Sequence, residues 1–373
     1  MNIKQNNRLR ELDFLRGIAI LLVLMRHQYL CGFTTTMGWI GVDLFFVLSG
    51  FLVSGLLFKE YLKFGNIKPG LFLIRRGFKI YPIYYLTYIL YLAPKIIKHQ
   101  FDWTGFLSDL FFIQNYVWGW GYAYVPSWSL AVEEHFYFGL AFFLWLSIKY
   151  IWIDLNKEAE KKISKFELAI LFIMLLCLIL RLISNIYFPD NADKNYTMSH
   201  LRIDSLLAGV LVSYFYYFKR EKLIFFFESN KNFLMLLSVA LISFTPFIDF
   251  QGSFFVMTFG FSFLYISFSI LLVCFLVNSK INEKLDDVFS KKIVDIISKI
   301  GFSSYSIYII HSFVNFAYNL GNILFLSKIG TINQTAVFFI TSVVSVLSGM
   351  FMTYHVEKYF LNYRNKHFPS RIH

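Results

Sequence analysis

The stretch LDFLRGIAILLVLMRH puts Arg16 and His27 eleven positions apart. At helical pitch that interval brings them to within about 20° of one another in projection and about 16 Å apart along the axis. One helix face therefore carries a cation near one end and an imidazole towards the other, with Asp13 close to the cation. A neutral imidazole near pH 7 can act as general base or as nucleophile. Arg16 could equally snorkel to the interface, and His27 hydrogen-bond to a neighbouring helix. Asp43 lies in GWIGVDLFFVLSGFLVSGLLF and must face a partner, because an unpaired carboxylate in lipid is expelled or protonated. That partner is His27, which it would orient as a triad carboxylate does, or a cation.

Further along, FLIRRGFKIYPIYYL supplies Arg75, Arg76 and Lys79 at the start of a helix. Arg75 and Lys79 lie one turn apart on one face. Three such donors grip phosphates or anchor the helix at the cytoplasmic surface, and spacing alone leaves both readings open. In WSLAVEEHFYFG, Ser127 or Ser129 is positioned as N-cap, with Glu133 and Glu134 behind it and His135 next. One acid near a helix N-terminus is accounted for by the dipole; a second, followed by histidine, makes Glu133 another candidate to hold the His27 ring. Ser129, Glu134, Arg202, Asp204 and His311 are supporting candidates, Arg202 and Asp204 through an ion pair with another span. Arg26 projects about 100° from His27 and reads as a snorkelling outer residue, and Glu357 as a surface charge.

These groups attract attention because of the segments that carry them. The 373 residues are 57% hydrophobic and 16% charged, with a mean hydropathy of +0.57, far more apolar than a soluble domain. An ionisable side chain at the bilayer centre costs at least about 2.5–3.5 kcal/mol and is a functional candidate by default. Apolar windows of about 20 residues, without strand-like alternation, predict an all-α, polytopic membrane bundle of about ten transmembrane helices. They fall at 12–31, 38–58, 77–94, 130–149, 166–187, 199–218, 231–249, 254–277, 300–323 and 334–356. With the N-terminus inside, the cytoplasmic segments hold 27 Lys and Arg, from Lys4 and Arg8 onward, against four outside: Lys95, Lys98, Lys194 and Lys328. That asymmetry places both termini in the cytoplasm.

The net charge of +12 is thus explained by membrane topology and anionic lipid, and nucleic acid is not an expected partner. The basic N-terminal run lacks a small-residue cleavage site and is read as the first span. Cys31, Cys177 and Cys274 form no CxxC pair and read as packing residues, and no metal is predicted. Residues 1–373 are read as a single transmembrane domain. The amphipathic stretch 281–300 lies along the inner membrane surface or serves as a solvated linker helix. The loop from about 95 to 129, rich in Trp and Tyr, lies at the interface or folds back toward the membrane.

LDFLRGIAILLVLMRH, GWIGVDLFFVLSGFL, RRGFKIYPIYY, VPSWSLAVEEHFY, LRIDSLLAG and SSYSIYIIHSF, in this order, resemble the membrane-bound acyltransferase 3 family, which includes bacterial O-antigen and peptidoglycan O-acetyltransferases. The resemblance implies a ten-span enzyme of the cytoplasmic (inner) membrane that moves an acyl group, often acetyl from acetyl-CoA, to a hydroxyl of an extracytoplasmic carbohydrate. The family's Arg-x10-His pattern falls on Arg16 and His27. Its Arg-x-x-x-Arg pattern falls on Arg75 and Lys79, where lysine keeps the charge but loses the planar fork. Some members carry an SGNH-type hydrolase-like domain after the last helix. None follows here, so transfer is expected to be completed by the membrane domain or a separate partner. Two alternatives stand beside this reading: a transporter of a polysaccharide precursor or small solute, since buried ionisable residues also mark solute pathways, and an acyltransferase that uses succinyl or another donor.

Overall fold

Inside lipid each backbone N–H and C=O must be satisfied within its own segment, so the apolar windows can fold only as helices or as a closed barrel. In the computed structural model, which describes residues 9–150, 152–324 and 333–372, they fold as helices, and no strand occurs among the described residues. Lys4, Arg8 and Lys328 lie outside the described residues. The long helices are α1 (Arg10–His27), α2 (Ile40–Phe64), α3 (Pro69–Ile97), α4 (Trp128–Lys149), α5 (Lys165–Tyr187), α6 (Ile203–Phe218), α7 (Arg220–Ile242) and α8 (Phe261–Val277). After them come α9 (Ile281–Phe289), α10 (Lys291–Phe302), α11 (Ser304–Leu324), α12 (Gln334–Phe351) and α13 (Lys358–His367).

Each of the ten windows contains helix, but among the described residues five helical stretches are long and apolar enough to cross a membrane by themselves, or six if the bent pair α10–α11 is taken as one. The shortfall has a physical cause. α6 has only 16 residues, α1 and α4 are interrupted by ionisable residues such as Asp13, Arg16, Glu133 and Glu134, and the apolar run of α3 is diluted by tyrosines and by Pro82 and Pro94. Large side chains stay exposed where lipid would cover them, as Leu168, Leu171, Phe172, Leu175 and Leu176 do along α5. α7 begins earlier than its window and kinks at Asn230.

The most extensive helix contact joins α2 and α6, and two glycines allow it. A Cβ on Gly50 would fall 1.9 Å from the Leu206 carbonyl oxygen, and one on Gly209 2.1 Å from that of Val47. Neither backbone could come so close past a side chain. Asp43, Gly50 and Ser54 share this face.

The stretch 281–300 is not a single helix. It breaks at Ser290, whose φ is +66°, and α10 packs along α1 with Val294 buried. Arg10 ties the two segments to α1 through Asp286 at 2.7 Å and Asp295 at 2.8 Å. The aromatic loop after α3 folds back. Its Asp109 is fully buried, accepting from the Tyr88 hydroxyl at 3.0 Å and from the Tyr122 and Ala123 amides at 3.0 and 2.8 Å. Cys177 and Cys274 are buried, whereas Cys31 is exposed rather than packed.

Candidate active site

α1 runs past two cavities. The inner one, about 280 Å³, is lined by Arg16 from α1, Ser49 from α2, Arg76 and Lys79 from α3, Ser129, Glu133 and Tyr137 from α4, and Tyr308 from α11. The outer one, about 90 Å³, is lined by Arg26 and His27 at the end of α1 and by Trp39, Trp120, Trp128, Tyr196 and Phe250. Val42 and Tyr308 line both. Arg16 and His27, on one face of α1, thus line two adjacent chambers.

In the inner chamber three cations line one wall region. Glu133 accepts from the Tyr137 hydroxyl at 2.9 Å, and that hydroxyl also meets Ser49 at 2.7 Å. The Arg76 guanidinium lies 5.0 Å above the Tyr137 ring, a cation–π contact. Lys79 pairs with Glu357. Glu357 is 2% exposed, not the surface charge its place in the sequence suggests. The π-helical turn Met352–Glu357 after α12 shifts the helical phase and turns this carboxylate inward. Arg16 lies 3.9 Å from Asp13.

His27 is exposed to the outer chamber. Its Nδ1 lies 2.9 Å from the Val23 carbonyl. A carbonyl only accepts, so Nδ1 carries the proton and Nε2 is left as the acceptor nitrogen. The expected carboxylate partner is not there. Asp43 accepts from Arg202 Nη2 at 2.8 Å, with both side chains fully buried, and from Ser205 Oγ at 3.3 Å. The alternative of a cation partner is the one realised, because the α2 face carrying Asp43 is the face that packs on α6. Asp204 is likewise paired, with Arg181 at 2.8 Å. Glu133 lines the other chamber and makes no hydrogen bond to His27 among those of the described residues.

Other candidates fall beside the site. His311 is buried, its Nδ1 2.6 Å from the Tyr308 carbonyl, and its ring centroid lies 4.8 Å from that of His27. Ser129 Oγ lies 2.7 Å from the Tyr308 hydroxyl. Glu134 accepts from the Tyr81 hydroxyl at 2.8 Å and does not line either chamber. The first turn of α4 holds no acid, and Ser127, at the N-cap position, accepts from Gln114 instead of capping. Arg75 departs from the chamber altogether, binding the Phe368 carbonyl and, at 3.3 Å, Asn365 in the C-terminal segment. The pair that faces the chamber is Arg76 and Lys79, three residues apart, rather than Arg75 and Lys79.

Among the lining residues that sequence reasoning missed are Arg26 and Tyr308. Arg26 is bound to Asp249 at 2.5 Å and lies 5.1 Å from the Phe250 ring centroid, so it is held beside His27 rather than snorkelling. The pairing spans 223 positions and leaves no local signal. Tyr308 is one of 24 tyrosines in an apolar helix, and nothing in its spacing distinguishes it.

The acyltransferase domain family model matches residues 9–355. The chain belongs to that family. Among curated proteins, it is 29% identical to the peptidoglycan O-acetyltransferase OatA of Listeria monocytogenes serovar 1/2a over 157 residues, 38% of this chain and 25% of that one. It is 28% identical to the O-acetyltransferase OatA of Staphylococcus aureus (strain NCTC 8325) over 220 residues, 54% and 34% of the two chains. The match spans about a third or less of the length of these relatives. No solved structure matches the chain.

Proposed function

We propose that this protein is an O-acyltransferase of the bacterial cytoplasmic membrane, crossing it ten times with both termini inside. It takes an acyl group, acetyl first among them, from a cytoplasmic acyl-CoA and gives it to a hydroxyl of an extracytoplasmic carbohydrate. The observation that carries the reading is the pair of abutting chambers: a cationic inner one, and an outer one that holds His27 with Nδ1 bound to the Val23 carbonyl. The relatives' names, O-acetyltransferase and peptidoglycan O-acetyltransferase, support acetyl and an envelope glycan. The excess of inner Lys and Arg supports the orientation.

In this scheme Arg16, Arg76 and Lys79 attract the anionic donor and hold its phosphates. Arg75, turned toward Phe368 and Asn365, is left out of the donor site. The thioester end passes Val42 and Tyr308 to reach His27. There Nε2 removes the proton of the acceptor hydroxyl as its oxygen attacks the thioester carbonyl. The new C–O bond forms, the C–S bond breaks, and the proton passes from the imidazolium to the departing thiolate. Transient acylation of the same nitrogen is the covalent variant of this step. Asp43 has no part in either, being committed to Arg202.

Mass spectrometry of envelope glycans from cells with and without the gene tests the reading. An ester should be present with the wild-type gene and lost both in its absence and with His27→Ala, in protein that still inserts and folds. The removed base accounts for a loss of about 10²–10⁴-fold. An ester retained at the wild-type level in His27→Ala cells would overturn the assignment of His27. Glycan that is merely redistributed would point to transport.

A further inference from the structure

We propose that Val42 and Tyr308 form a septum that sets the size of the acyl group this enzyme transfers; the inference rests on the transferase reading above. These two residues line both cavities. Behind the septum the outer chamber has about a third of the inner one's volume, at about 90 Å³ against about 280 Å³. The chambers also meet back to back where Phe46 of the inner wall packs edge-on against Trp128 of the outer wall, ring centroids 6.1 Å apart. A thioester held by the inner cations must therefore pass the partition to reach His27, and its acyl group must fit in the small space beyond.

Neither side of the septum yields easily. Tyr308 is held at its hydroxyl by Ser129 at 2.7 Å and the Pro126 carbonyl at 3.0 Å. Its own carbonyl accepts from the Tyr124 hydroxyl and from His311 Nδ1. A ring fixed at both ends does not swing aside for a longer chain. Val42 is 9% exposed and β-branched, so its side chain is stiff about χ1. It sits one position before Asp43, whose pairing with Arg202 anchors this turn of α2. On one side of the outer chamber Trp39, Trp128, Tyr196 and Phe250 are buried and packed on one another, so that side does not give way behind the partition. The chamber opens on the side of Val125, which is exposed.

The test uses full-length protein expressed in cells lacking the native gene and supplied with butanoate, so that acetyl and butanoyl thioesters compete. Envelope glycan esters are then resolved by mass spectrometry. Wild type should give the acetyl ester almost alone. Val42→Ala should raise the butanoyl-to-acetyl ratio by about tenfold or more, the discrimination expected for one or two methylenes in an apolar pocket. Val42→Ile should lower the acetyl yield itself. Tyr308→Phe, which keeps the ring but loses the hydroxyl contacts, should give a ratio between wild type and Val42→Ala. An identical ratio in wild type, Val42→Ala and Val42→Ile, with acetyl ester still formed, would overturn the septum and leave the transferase reading intact. Absence of any ester with the wild-type protein would overturn both.

Discussion

His27 and His311 meet edge to face, their ring centroids 4.8 Å apart and their planes inclined at 69°. The two rings come from α1 and α11, 284 positions apart in the sequence, and each is held at Nδ1 by a carbonyl of its own helix, Val23 for His27 and Tyr308 for His311. The contact makes His311 a positioning residue for the proposed base. His311→Ala removes the wall against which the His27 ring rests. The expected result is a fall of about 10²-fold in kcat with little change in donor KM, the cost of a base misplaced by about 1 Å. His311→Phe should recover most of it, because the Tyr308 carbonyl keeps the Tyr124 hydroxyl. Equal losses in both variants would mean that His311 acts otherwise.

Asp43 and Arg202 pair in a fully buried setting, with Ser205 also on Asp43 and the guanidinium 3.6 Å from the Phe261 ring centroid. Removing one partner strands the other, which costs about 3–5 kcal/mol. Asp43→Ala and Arg202→Ala should each lower the thermal midpoint of the detergent-solubilised protein. The double replacement Asp43→Leu with Arg202→Met should recover most of the loss, because a buried pair exchanged for apolar side chains is often neutral. A double variant as unstable as the sum of the singles would contradict this account.

Arg75 and Arg76 are neighbours in sequence with opposite assignments. Arg76→Gln should weaken acetyl-CoA binding about tenfold or more, in line with the loss of one charge-assisted hydrogen bond. Arg75→Gln should change it less than about twofold, since that side chain is spent on Phe368 and Asn365. Titration calorimetry on the purified protein compares the two, and the reverse order would return Arg75 to the donor site.

Burial in the loop after α3 pushes the Asp109 carboxyl up to about 6 from 3.8, with the Ala123 and Tyr122 amides and the Tyr88 hydroxyl opposing the rise. Because the folded-state value is the higher one, the folded chain holds the extra proton between about pH 4 and pH 6. Its stability therefore falls as pH rises through that window and levels off above it. At about 1.4 kcal/mol per pH unit, the Asp109 contribution at about pH 7 should be about 1–1.5 kcal/mol below that at about pH 5. Asp109→Asn should remove this difference from thermal unfolding curves. A pH dependence identical in wild type and variant would show that Asp109 titrates normally.

The helical character of the apolar windows and the placement of Arg16 and His27 on one face of one helix were legible in the sequence. They depend on composition and on rotation within one helix, which 100° per residue determines. The family motifs were legible for the same reason, since each lies within a single helix or its flank. The charges that mark the site also interrupt the apolar runs of α1 and α4.

Which side chains meet was decided only in three dimensions. Periodicity put Arg75 and Lys79 on one face, but the azimuth of α3 against its neighbours turned Arg76 and Lys79 into the chamber and Arg75 out of it. Asp43 demanded a partner from its sequence position, yet the close approach of α2 and α6 at Gly50 and Gly209 gave it Arg202 and not His27. Glu357 was turned inward by a π-helical turn, and Tyr308 became a partition because α11 sets it between two cavities. A sequence encodes the rotation of residues within a helix; the crossing and phase between helices come from packing summed over the whole bundle, and they selected the contacts of this site.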